Sequence, residues 1–503
     1  MISIVSWVVI LLGAAEAQQL YITTTGYPDR PQCTQPVPSP VYYFQPFSYT
    51  LNETVRPLAW SLLWQQVGIE NYTTTGMYST TVSPTPVPTS ALVLPPADYF
   101  GPTDCYNFPD DFVFGVAGSA AQVEGAVGLE GRSPTILEKL ANTSQPKDYV
   151  TNENYYLYKQ DIQRLAAMGV RYYSFSIPWT RILPFVLPGS PVNEQGIKHY
   201  DNLINTVLDA VPIWVTFNEP LLYAFDFQGA DNVVRAHAQV YHFYHDVLNA
   251  TGKMGIKFND NFGVPRDPHN ASDIQAANRF QEMQLGLFAN PIFLGQQYPD
   301  SILDTLPGAK PLCNQDLSYI ANTSDFFGID PYTATVVSPA PEGIAACAAN
   351  ASSELFPYCV VQETKNRYGW NIGYRSQSYV YITPTYLREY LNYLWNTFRS
   401  PVFVSEFGFP VFGEAEKTDL SDQLFDTPRS IYYLSFMSEI LKAIHEDGVH
   451  VMGALAWSWA DNWEFGDYNQ QFGLQVVNRT TQERYYKKSF FDLVDFVSSR
   501  MSK

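Results

Sequence analysis

Two glutamates in this sequence stand where a carboxylate can do chemistry. Glu219 stands just before the closing Pro220 of VPIWVTFNEP (Val211 to Pro220), and Glu406 ends the apolar strand that opens PVFVSEFGFP (Pro401 to Pro410). Nearly every residue before Asn218 in the first run is apolar or β-branched, which suits a strand buried on both faces of a parallel sheet. Pro220 cannot extend the ladder, so the strand stops with Glu219 at its lip. The second run has the same form, with Gly408 just beyond its glutamate. One strand-end Glu alone is more often a solvated turn residue than a catalyst. Two that face one cavity are the minimum equipment for cleaving a glycosidic bond: one protonates the leaving oxygen, and the other attacks the anomeric carbon or activates water. A third stretch, ALAWSWADNWEFGDYNQQFGL (Ala454 to Leu474), sets Trp457, Trp459, Trp463, Glu464 and Phe465 at and after another apolar strand. Indole faces stack on the C–H face of a pyranose, and a carboxylate accepts hydrogen bonds from hydroxyls. One or two of these tryptophans are expected in the core instead.

The elements that must position these residues alternate along the chain. A strand is expected over Phe112 to Ala117. A helix follows over Asn152 to Met168, with Tyr155, Leu157, Tyr158, Ile162 and Leu165 near helical spacing and Gly169 as its C-cap. A strand over Val170 to Ile182 and a helix over Ile197 to Asp209 lead into the Val211 run. Later units repeat the pattern: strand Gly255 to Phe258, helix Ala271 to Phe288, strand Phe326 to Ile329 and helix Thr385 to Phe398. Strand Val402 to Glu406, helix Thr427 to Glu446 and strand Val451 to Trp459 complete it. This is the grammar of a parallel α/β sheet, and a closed barrel with its chemistry at the carboxyl ends of the strands is the economical architecture. The count falls short, however. A single helix separates the strand at Tyr172 from that at Ile213, and the total is seven strands where a (β/α)8 TIM barrel has eight.

At 503 residues the chain has room for one large barrel and an appendage. Residues 1–17 join an apolar core (Val8 to Leu12) to the small-x-small sequence Ala15-Glu16-Ala17, as in a secretory signal peptide. Residues 18–104, rich in Pro, Thr, Ser and Tyr, read as an extension or linker partly ordered against the barrel, with β-like runs such as Ala91 to Leu94. The barrel is expected over 105–503. Eight N-x-S/T sequons (Asn52, Asn71, Asn142, Asn249, Asn270, Asn322, Asn350 and Asn478) agree with export. Of five cysteines, four could pair in an oxidising compartment. Cys347 with Cys359 and Cys33 with Cys105 are the expected pairs, although spacing alone leaves connectivity open. A net charge of −19 argues against nucleic acid or an anionic membrane as partner. Aromatic residues at 15% exceed what a core needs and suit sugar faces. No cofactor and no metal is called for.

On these motifs the chain resembles glycoside hydrolase family 1, the β-glucosidase family. The resemblance runs in order over about residues 108–497: FVFGVAGSAAQVEGA, FSIPWTRI, TFNEP, FFGIDPYT, VSEFGFP and WSWADNWEFGDYNQQFGL. It implies hydrolysis of terminal non-reducing β-D-glucosides, small or oligomeric, in carbohydrate catabolism. It further implies a retaining double displacement, with Glu219 as acid/base, Glu406 as nucleophile and the Tyr332 hydroxyl beside the nucleophile. Glycone contacts are implied for Gln122, Asn218, Glu464 and Trp457. Phe465 stands where the family often has Trp, and Asn469-Gln470-Gln471 replaces the basic pattern of the phospho-sugar branch, so a phosphorylated substrate is not expected.

Departures from the pattern matter as much. The family's arginine that pairs with the nucleophile is replaced here by Ser174, its Asn-Tyr-Tyr by Asp330-Pro331-Tyr332, and its Thr-Glu-Asn-Gly by SEFG. The unit that the strand count lacks is, by the resemblance, the third strand and its helix, which the family places between the positions of Ala210 and Val211. Its loss would leave two strands to close a gap or expose unpaired edges. The rival expectation is therefore a secreted glycoprotein that keeps sugar binding and has lost turnover.

Overall fold

The computed structural model describes residues 57–68, 82–92, 105–135, 138, 148–185, 189–207, 211–224 and 226–501. The expected signal peptide at 1–17, Cys33, the sequons at Asn52, Asn71 and Asn142, and most of the 18–104 extension lie outside the described residues.

Seven strands form one parallel sheet: β1 Val113–Ala117, β2 Tyr172–Ser174, β3 Ile213–Asn218, β4 Lys253–Asn259, β5 Phe327–Asp330, β6 Val402–Phe407 and β7 Val451–Trp457. Their order is β2-β1-β7-β6-β5-β4-β3, and every pairing is parallel. A helix follows each strand: α1 Asn154–Ala167, α2 Glu194–Val207, α3 Phe227–His242, α4 Ala271–Gln281, α5 Pro384–Phe398, α6 Thr427–His445 and α7 Lys488–Ser498. Strand-then-helix repetition of this kind curls a parallel sheet into a barrel, with apolar faces of the helices packed outside. β6 and β7 lie at its centre with every side chain buried. In the barrel floor Phe326 meets Phe403 edge to face at 5.6 Å. Gly255 of β4 makes room for that floor, because a Cβ there would lie 2.7 Å from the Phe326 ring.

The sheet has seven members, consistent with a (β/α)8 barrel short by one unit. β2 and β3 are its two edges, with no pairing between them among the described residues. The edges correct two expectations. The Val211 run was expected to be buried on both faces, but no residue of β3 is fully buried and Val215 is 37% exposed, because among the described residues β3 pairs with a strand on one side alone. The strand expected over Val170 to Ile182 shrinks to Tyr172–Ser174, and Pro178 opens a helical turn over Trp179–Ile182. An edge strand with a single partner gives that alternating run less to pair with. The helix expected over Ala271 to Phe288 continues beyond Gln281 only through a wider turn, Glu282–Gly286, before Leu287–Ala289. Ala91 and Leu92 belong to a 3₁₀ turn, Thr89–Leu92, rather than a β run.

Two parts of the extension contact the barrel among the described residues. Helix Pro57–Val67 places the indoles of Trp60 and Trp64 on the Arg132 carbonyl at 3.0 and 2.9 Å, and the Val82 amide donates to the Tyr156 carbonyl at 3.1 Å. Cys347 and Cys359 form a disulfide. The Cys33–Cys105 pairing is not made: Cys105 is a free, exposed thiol, whereas Cys313 is disulfide-bonded.

A buried ionic network ties the strand-end loops to α6 and α7. The Arg429 guanidinium pairs with Asp426 and Glu414 and donates to the carbonyls of Phe409 (2.9 Å) and Gln471 (2.5 Å). Lys487 reaches Glu414 at 2.7 Å and Asp461 at 2.8 Å. Five charged groups withdrawn from water must each find a counter-charge, so they fix the loops after β6 and β7 relative to one another.

Candidate active site

Glu219 follows directly on β3, and Glu406 lies within β6 near its end; both face the carboxyl rim of the sheet. With Asp330, the last residue of β5, they form a triad of carboxyl groups whose nearest oxygen atoms all lie within 4.8 Å of one another. Glu219 adopts a left-handed backbone (φ 49°, ψ 53°), an uncommon conformation for a residue with a side chain. Pro220 then starts a 3₁₀ turn, so the strand ends where the sequence places its stop.

Lys257 of β4 enters this group from below. It is buried, its ammonium contacts Glu406 Oε1, and it lies 3.4 Å from Asp330 Oδ2. Its carbonyl accepts the Glu219 amide at 2.9 Å. The other Glu406 oxygen accepts the Tyr332 hydroxyl at 2.7 Å, and the Tyr332 carbonyl accepts the Tyr432 hydroxyl at 2.9 Å. Ser405 Oγ donates to Asp330 Oδ1 at 2.8 Å.

The electrostatics follow from burial and from like charges held close. Burial first, and then the Glu406 charge, push the Glu219 carboxyl up to about 7, against the opposing pull of Lys257 and a hydrogen bond to Asp330. The same two causes, in the same order, hold Asp330 well above the usual carboxylate range. Lys257 is raised because its carboxylate neighbours outweigh its burial.

A second set of residues faces the first from β1 and β7. Gln122, on the short helix Ala120–Val123, donates to Asn462 at 2.9 Å and to Glu464 Oε2 at 3.2 Å. Glu464 Oε1 is shielded from water outside any well-formed hydrogen bond, and burial pushes this carboxyl up to about 8. The Trp457 indole and the Gln122 amide are the polar groups nearest this carboxyl, and a buried carboxyl oxygen without a well-aligned partner is one that sugar hydroxyls could satisfy. Trp457 ends β7 and is 5% exposed; its peptide bond to Ser458 is cis. Trp459 is fully buried and belongs to the core, as expected for one or two of these indoles. Trp463 packs against Phe465 at 5.8 Å, and Phe465 is 48% exposed at the rim. Asn218 is exposed at the end of β3.

Tyr379 and Lys257 were not among the sequence candidates. Tyr379 meets Tyr332 at 6.2 Å and feels the charges of Glu219, Glu464 and Glu406. Lys257 did leave a signal: in the strand KMGIKFN, Lys253 stands at the exposed first position, but Lys257 lies in the buried interior, where a charge has no reason to be unless it is paired. Ser174, at the end of β2, offers no charge.

Comparison with known proteins places this arrangement in context. The model of the family described as glycosyl hydrolase family 1 matches residues 105–211 and 206–501, two stretches that meet between α2 and β3. Beta-glucosidase 34 of Oryza sativa subsp. japonica is 31% identical over 478 residues, covering 76% of this chain and 91% of the relative. Beta-glucosidase 1B of Phanerodontia chrysosporium is 29% identical, covering 76% and 84%. Among solved structures, a beta-glucosidase from Humicola insolens in complex with glucose superposes with a TM-score of 0.73 at 26% identity, covering 79% of this chain and all of the other. Beta-glucosidase 2 of Trichoderma reesei, in complex with Tris, gives 0.72 at 26% identity over 78% of this chain and all of the other.

Proposed function

The chain belongs to glycosyl hydrolase family 1, a glycosyl hydrolase of the β-glucosidase type, and from that premise we propose that it cleaves terminal non-reducing β-D-glucosides with retention of configuration, in carbohydrate catabolism. One observation carries the mechanism: Glu219 and Glu406 approach within 4.8 Å. Retaining glycosidases hold their two carboxyl groups about 5–5.5 Å apart, and inverting ones about 6.5–9.5 Å to admit a water. Glu406 attacks the anomeric carbon as the bond to the leaving oxygen breaks, and Glu219 gives that oxygen its proton. Glu219, now ionised, takes a proton from water as the water displaces Glu406 from the glycosyl-enzyme. The Tyr332 hydroxyl orients Glu406. Gln122 and Glu464 take glycone hydroxyls, Trp457 and Asn218 border the sugar, and Phe465 lies where the substrate leaves the barrel.

The pH dependence has a definite sign. Glu219 must start protonated, and a carboxyl raised to about 7 stays protonated up to neutrality. Thus kcat/KM on 4-nitrophenyl β-D-glucoside is expected to hold to neutral pH and then fall about tenfold per unit above the Glu219 midpoint. An alkaline limb that already turns over near about 5, close to an unperturbed Glu, contradicts the assignment.

A second reading, sugar binding without turnover, is favoured by the unpaired edges of β2 and β3 and by Ser174. Glucose binding by calorimetry, with no nitrophenol released by the wild-type chain, selects it.

We also propose that the protein is secreted. The sequons at Asn249, Asn270, Asn322, Asn350 and Asn478 are all exposed, and the Cys347–Cys359 disulfide suits an oxidising compartment. Protein from the culture medium of a eukaryotic host is expected to lose mass on treatment with peptide N-glycosidase. Retention inside the cell with no glycan contradicts the proposal.

A further inference from the structure

Lys257 stands at the middle of the charged group. It contacts Glu406 Oε1 with its ammonium, faces Asp330 Oδ2 at 3.4 Å, and receives the Glu219 amide on its carbonyl at 2.9 Å. The strand register sets up this geometry: Lys257 pairs with Asn218 of β3 on one side and with Gly328 of β5 on the other. Among the described residues, it is the cation that Glu406 meets. An ammonium is costly to bury and is tolerated only where counter-charges repay its lost hydration. Three carboxyl groups compete for that one cation, so ionising all three leaves two charges uncompensated in a largely buried site. Protons on two of them relieve this. The raised positions of Glu219 and Asp330 agree that these two hold the protons. The starting state is then an acid, a neutral carboxyl and one carboxylate paired with Lys257, which is the state a double displacement needs.

We propose that Lys257 is the positioning residue of this reaction: its ammonium holds Glu406 ionised and aimed, while its carbonyl fixes the acid/base Glu219. The inference rests on the two-glutamate reading, but its test does not depend on turnover. The full chain is labelled with [δ-¹³C]glutamate, the Glu406 resonance is assigned by its loss in Glu406→Gln, and its titration is followed in the wild type, Lys257→Met and Lys257→Arg. In Lys257→Met the Glu406 midpoint is expected to rise by at least about one pH unit over the wild type, and in Lys257→Arg to return towards it. Where hydrolysis is measurable, the acidic limb of the kcat/KM profile is expected to move by the same shift, with kcat falling more than KM changes. A folded Lys257→Met whose Glu406 titrates as in the wild type overturns the inference. If Lys257→Met does not fold, Lys257→Gln is read in the same two ways. A shift without any wild-type hydrolysis supports the role of Lys257 and counts against the two-glutamate reading. Hydrolysis dependent on Glu406 without the shift does the reverse.

Discussion

Glu406→Gly is expected to lower kcat on 4-nitrophenyl β-D-glucoside by on the order of 10⁵-fold, about 7 kcal/mol of transition-state stabilisation at 1.36 kcal/mol per decade. The size follows from the role. Without the carboxylate no glycosyl-enzyme forms, and what remains is binding and acid assistance alone. The structure adds a second cost: Lys257 and the Tyr332 hydroxyl both aim at Glu406, and its removal leaves a buried cation beside Asp330. Glycine also leaves a cavity the size of a small anion. Azide occupying it would attack from the face opposite the leaving group, so with an activated glucoside the product is expected to be the α-glucosyl azide. Loss of activity without rescue, or rescue that yields the β-azide, contradicts the nucleophile assignment.

Glu219→Gln is expected to cost about 10²–10⁴-fold, and the cost depends on the leaving group. An alkyl glucoside needs its oxygen protonated and sits at the upper end of that range. A dinitrophenyl glucoside leaves unaided, so its first step is nearly spared and the glycosyl-enzyme accumulates, because water is no longer deprotonated. The alkaline limb set by a carboxyl near 7 should vanish with the residue that produces it. Stopped-flow kinetics on a graded series of aryl glucosides measures both effects. Equal losses across the series contradict an acid/base role and point to Glu219 as a structural residue of the β3 terminus.

Much of the site could be read from sequence because strand ends announce themselves. TFNEP and VSEFG each join an apolar run to a glutamate and a stop, and the barrel rule converts two such ends into one rim. The closing Trp/Glu segment was legible for the same reason, and Trp459 is one of the one or two tryptophans expected in the core. What the sequence concealed depends on register across strands. Nothing local tells that Lys257 will lie beside Asn218 and beneath Glu406; that follows only once β3, β4, β5 and β6 are aligned. The Arg429 network is hidden in the same way, since its members come from four separate segments. The misjudged burial of β3 has a different origin. Composition reports what a strand is suited to be buried by, and among the described residues β3 has a strand neighbour on one side alone, so residues suited to a barrel interior line an edge instead. Counting units had pointed to seven strands, but not to the strand that ends in Glu219 as one of the two edges.

The most direct test of the two-glutamate account is trapping with 2-deoxy-2-fluoro-β-D-glucosyl fluoride followed by peptide mapping. Fluorine at C2 slows both displacements, while the fluoride leaving group lets the first proceed, so a retaining enzyme stalls as its covalent intermediate. The expected result is one label per chain, on Glu406 within PVFVSEFGFP, with label formation lost in Glu406→Gly. A label on any other residue, or turnover that leaves the protein unlabelled and releases α-glucose first from a β-glucoside, would contradict it.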